Sequence, residues 1–134
     1  MGTAARNMSL GEEPIASIYY HGMAKAGCAG GCRNEIMDSR IEKKVKLPSW
    51  PLLFARETGD IRKAFELTHR KGRMYLEEAK IAGDELPDNF PIKPFIKELF
   101  YFLGHEIDIE YKRLLQANLF SDFENQLKDL KIIR

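Results

Sequence analysis

The chain has 134 residues, of which 44% are hydrophobic and 31% charged. That is enough apolar material for one core and too much for a disordered segment. A formal charge of +1 excludes a global electrostatic pull toward nucleic acid or membrane. The distribution is uneven: residues 33–73 hold eleven Lys/Arg against six Asp/Glu, and residues 74–110 hold three against nine.

The longest apolar run, residues 99–103, is followed by Gly104, His105 and Glu106, far short of a bilayer span. Residues 15–20 are too short for a secretory core, and acids at Glu12 and Glu13 precede them where basic residues are wanted. Two cysteines make no disulfide framework. The expected location is the cytoplasm, with no membrane partner.

Residues 1–11 lack apolar periodicity and read as a flexible leader, followed by a single helical domain over 12–134. Glu12-Glu13-Pro14 suits a helix start, since acids complement the N-terminal dipole end and proline fits the first turn. Ile15, Ile18, Tyr19 and Met23 recur at helical spacing, and Gly27 is expected to end that run. Residues 28–32 read as a flexible link, and Met37, Ile41 and Val45 predict a second helix over 34–46. The alternation Lys44-Val45-Lys46-Leu47 supports a rival α+β reading, in which 15–20 and 43–47 form a small N-terminal hairpin.

Pro48 and Pro51 bracket Ser49-Trp50 and predict a short helix to about residue 57. Thr58-Gly59-Asp60 stops it and caps the next. The helix over 61–82 is the clearest element, with Ile61, Phe65, Thr68, Gly72, Tyr75, Leu76 and Ala79 on one face and Gly83 closing it. Gly72 on that face predicts close approach of a neighbouring helix, at a propensity cost of about 1 kcal/mol relative to alanine. Pro87 and Pro91 stiffen the following loop. Pro94 opens a long helix to about residue 118, whose first half (Phe95, Leu99, Phe100, Phe102, Leu103) is apolar nearly all round and reads as central and buried. Ser121-Asp122-Phe123-Glu124 matches a capping box and announces a last helix bearing Phe123, Leu127 and Leu130. The expected fold is all-α, an irregular bundle of five to six helices.

The candidates for chemistry are few. Cys28 and Cys32, with His21 seven residues upstream, make half of a zinc site. The Gly-Gly between the cysteines also allows a thiol–disulfide switch. The bland reading is small residues in a turn, with no metal and no cofactor. Glu66-x-x-His69 is half of a di-iron pattern whose second copy is missing. His105 and Asp108 fall on one side of a helix, as a proton-transfer couple requires.

Arg62 and His69 lie two turns apart on the clearest helix. In this pair, and in being helical, the chain resembles the HEPN ribonucleases, with Lys63 standing where that family often has a polar amide or acid. The resemblance implies metal-independent RNA cleavage, the imidazole moving a proton and the guanidinium holding the phosphate. Against it, Arg62–Glu66, Glu66–Arg70 and Arg73–Glu77 all have i,i+4 spacing, the mark of a solvated face.

Arg40, Lys43, Lys44 and Lys46 on one helix and Arg70, Lys71 and Arg73 on another predict a basic face, with Trp50 and Tyr75 nearby. Backbone binding needs such cations, and base stacking needs an exposed aromatic ring. The expected function is a non-catalytic helical binding or adaptor subunit, with a protein partner or copies of itself. As part of a nucleoprotein complex it would contact the nucleic-acid backbone through this face. The alternatives are a small HEPN-like ribonuclease and a metal- or redox-responsive protein built on Cys28 and Cys32.

Overall fold

The computed structural model describes residues 14–134, so the leader lies outside the described residues. Five helices follow in chain order: α1 Pro14–Glu42, α2 Trp50–Thr58, α3 Ile61–Glu85, α4 Lys93–Gln116 and α5 Phe120–Asp129. The architecture is an all-α bundle with no strand among the described residues. The hairpin is absent: residues 15–20 belong to α1, and residues 43–49 form a loop.

The largest departure from the sequence reading is α1, one helix of 29 residues where two helices and a flexible link were expected. Gly27, Gly30 and Gly31 have open space around them and cost the helix roughly 1 kcal/mol each. The opposite side of the same turns outweighs that cost. Gly22, Ala26, Ala29, Cys32 and Ile36 are buried along α1. A Cβ at Gly22 would sit 3.2 Å from the Ala82 Cβ, and one at Gly72 would sit 3.1 Å from the Cys32 Cβ. These two contacts make α1 and α3 antiparallel and closely packed, the role expected of Gly72. The helix ends where Lys43 takes a left-handed φ of 58°, a position usually held by glycine. No glycine signals that stop.

Short-range signals place α2 and the start of α3 as expected. The Ser49 hydroxyl accepts the Leu52 N–H at 3.2 Å, Gly59 closes α2 at φ 69°, and the Asp60 carboxylate accepts the Lys63 N–H at 3.1 Å. α3 runs past Gly83, which is buried inside the helix because a Cβ there would lie 3.3 Å from the Phe100 ring. The capping box at Ser121 is not formed. α5 begins at Phe120, two residues before a Ser121 cap would start it, with no side-chain cap.

The central helix is α3, which packs against all four others. At one end Phe65, Phe120 and Phe123 join Ile36, Leu114 and Leu127 in one cluster. At the other end Leu76, Ala79, Ile96, Phe100 and Ile107 form a second. α4 therefore lies at the side of the bundle and not in its middle. Phe95 is 66% exposed, Tyr101 77% and Phe102 58%, and Leu99 is also exposed. The loop after α1 is pinned by Gln126 of α5. Its amide oxygen accepts the Val45 N–H at 2.7 Å and its amide nitrogen donates to the Val45 carbonyl at 3.1 Å.

Candidate functional site

The seven residues of the expected basic face divide between two flanks of α3. Lys71 and Arg73 are two positions apart, about 200° around a helix, and they face different neighbours. Lys71 places its ammonium 4.3 Å from the Trp50 ring centre and 5.3 Å from that of Tyr75. Arg73 turns to α4, where its guanidinium lies 3.8 Å from Asp108. A Cβ at Gly104 would come within 2.7 Å of that guanidinium, so the missing side chain gives Arg73 its seat. Arg70, also on the α4 flank, is held at 2.6 Å by Glu66. Arg40 is half-buried. It bonds Glu110 at 3.2 Å, and that carboxylate, 1% exposed, also accepts from Arg113 at 2.8 Å.

Four cations remain: Lys71 on α3, and Lys43, Lys44 and Lys46 in the loop after α1, where Lys44 and Lys46 line one cavity with Gln126 of α5. Lys43 and Lys44 are exposed and have no ion pair among the described residues. Lys46 bonds Asp38 at 3.2 Å. The run continues through Glu35, whose carboxylate accepts the Trp50 N–H at 3.1 Å, and then through Trp50, Lys71 and Tyr75 to Lys25. The Lys25 ammonium lies 5.4 Å from the Tyr75 ring centre and 2.9 Å from Glu78. Burial pushes the Glu35 carboxyl above its ordinary value, against the lowering pull of the Trp50 N–H and Lys46. Trp50 is half-buried, stacked on Phe54 with ring centres 5.6 Å apart. Trp50 and Tyr75 were expected near these cations, but Lys25 was not legible as part of the same surface, since it comes from a separate turn of α1.

The two histidine clusters of the sequence combine differently from expectation. His69 bonds Asp108 at 2.8 Å and stacks on Tyr111 with ring centres 4.4 Å apart. Asp108 thus pairs across helices with His69. Arg62 lies over the Phe120 ring at 4.3 Å, packed at the α3–α5 junction. Its guanidinium therefore covers a core aromatic, and the group hydrogen-bonded to the His69 imidazole is a carboxylate. That geometry fixes the orientation of the ring.

Cys28 and Cys32 lie one turn apart in α1, one exposed and the other fully buried against Gly72. Burial pushes the Cys32 thiol up to about 12, so it stays protonated, and the thiolate that metal binding or exchange requires is disfavoured. His21 sits two turns before Cys28 on the same helix. No cluster of three or more metal-ligating side chains occurs among the described residues. No described helix is long and apolar enough to cross a membrane. No protein-family model, curated protein or solved structure matches the chain.

Proposed function

We propose that the protein is a non-catalytic helical binding subunit that holds a nucleic-acid backbone as part of a nucleoprotein assembly. The contact surface is the flank carrying Lys43, Lys44, Lys46, Lys71 and Lys25. The observation that carries this reading is Lys71 set over Trp50 and Tyr75, with Lys43 and Lys44, in the loop that leads into Trp50, exposed and without an ionic partner among the described residues. Exposed ammonium groups release counterions from a polyanion. Aromatic rings beneath Lys71 hold its side chain extended, which lowers the entropy lost on contact.

A labelled single-stranded RNA tests the reading. At low salt the wild type should retain it, Lys43→Ala/Lys44→Ala/Lys71→Ala should retain much less, and the RNA should be recovered uncut from both. Cleavage abolished by His69→Ala would make the protein a nuclease. Failure to retain any nucleic acid, single- or double-stranded, leaves an acidic protein as the partner of the same flank.

A further inference from the structure

The open cavity beside α2 has a volume of about 470 Å³, within the roughly 300–1,000 Å³ that small-ligand sites occupy. Pro48, Trp50, Leu52 and Leu53 give it apolar walls, and Glu35 and Arg56 are the two charged groups that line it. These two form no ion pair with each other. One Glu35 oxygen accepts the Trp50 N–H at 3.1 Å, and the other accepts no hydrogen bond among the described residues. Arg56, exposed in the last turn of α2, has no ion pair among them either. One cavity therefore sets an acceptor-only group and a donor-only group on apolar walls, each with bonding capacity left over.

We infer that this cavity takes a guanine base, presented by the single strand whose backbone the neighbouring lysines hold. The source of the base rests on the backbone reading, and continuity of the two surfaces supports it: Trp50 is a wall of the cavity and carries Lys71 at 4.3 Å from its ring centre. A base is flat and apolar on its faces, which suits walls of this kind. Guanine has two adjacent donors, N1–H and N2–H, on its pairing edge, with the acceptors O6 and N7 beside them. An ionised carboxylate only accepts, and its two oxygens match that donor pair; the oxygen bonded to the Trp50 N–H keeps a second lone pair. A guanidinium only donates, and it matches O6 and N7. Adenine and cytosine each set one amino donor beside a ring-nitrogen acceptor, and uracil sets N3–H between two carbonyl oxygens. In each of these a lone pair would face the carboxylate, at a cost in unmade bonds. A cationic ligand is disfavoured, since Arg56 lines the cavity and Lys46 already acts on the Glu35 charge.

Trp50 is the only tryptophan of the chain, so its fluorescence reports on the cavity directly. Mononucleotides test the cavity alone. Guanosine monophosphate should bind about tenfold more tightly than adenosine monophosphate. Inosine monophosphate, which lacks the N2 amino group, should lose most of that preference. Glu35→Gln replaces one acceptor oxygen by an amide donor, and Arg56→Ala removes the exposed donor; each should abolish the preference with helical dichroism unchanged. Strands test the source of the base: an oligoadenylate carrying one guanine should bind more tightly than the same strand without it. Equal affinity for guanosine and adenosine monophosphates overturns the inference and leaves the backbone reading standing, because retention of plain oligoadenylate tests that reading separately. A guanosine preference that survives both variants overturns the assignment to Glu35 and Arg56. A preference seen with mononucleotides and missing with strands overturns the strand as the source.

Discussion

Glu35 shows how one side chain ties the fold to its surface. It leaves α1 to accept the Trp50 N–H at the first turn of α2, where helix N–H groups have no internal partner. Burial raises its carboxyl above the ordinary range, so the folded chain holds that proton more tightly than the unfolded chain. The corresponding stability is fully present below the unfolded value and is lost as pH rises through the folded one. Glu35→Gln keeps an oxygen for the Trp50 N–H and removes the titration. Urea midpoints measured between about pH 4 and pH 7 should therefore show the wild type losing ground to the variant as pH rises. Parallel curves would contradict the assignment. At this scale the sequence was legible wherever partners are close neighbours. Ser49 and Asp60 cap their helices as read, and Glu66 takes Arg70. It was illegible wherever partners come from another helix. Arg73 leaves Glu77 for Asp108, and Arg40 reaches the buried carboxylate of Glu110.

At the scale of elements, α1 and α4 depart from their patterns for opposite reasons. α1 looks broken because it is rich in glycine and alanine, yet small residues are what its contact with α3 requires: Gly22 meets Ala82 and Cys32 meets Gly72. α4 looks central because it is apolar nearly all round. Part of that apolar surface instead stays open at the side of the bundle. Periodicity reports which faces are apolar and says nothing of what covers them. Leucine truncations separate the two accounts of the core. Leu76→Ala, fully buried on α3, should cost about 2–5 kcal/mol. Leu99→Ala on the open side of α4 should cost about 1 kcal/mol or less. Equal losses in urea unfolding would restore α4 to the centre.

At the scale of the molecule, the near-zero net charge conceals two sides. On the α4 flank Arg70 is matched by Glu66, Arg73 by Asp108 and Arg33 by Glu106 at 3.2 Å, while Lys112 has no ion pair among the described residues. On the α1–α2 flank Lys43, Lys44 and Lys71 have no carboxylate ion pair among the described residues, and Lys71 rests on aromatic rings instead. The uneven distribution of charge was legible in composition. Which cations stay unpaired depends on helix packing, which composition does not contain.

The salt dependence of single-strand binding measures this asymmetry most directly. Each neutralised contact contributes a slope of about −0.7 in log affinity against log salt. Lys43→Ala/Lys44→Ala/Lys71→Ala should therefore flatten the wild-type slope by up to about 2, while Arg70→Ala/Arg73→Ala should leave it unchanged. A slope that survives the lysine variant, or that falls only when Arg70 and Arg73 are removed, would contradict the account.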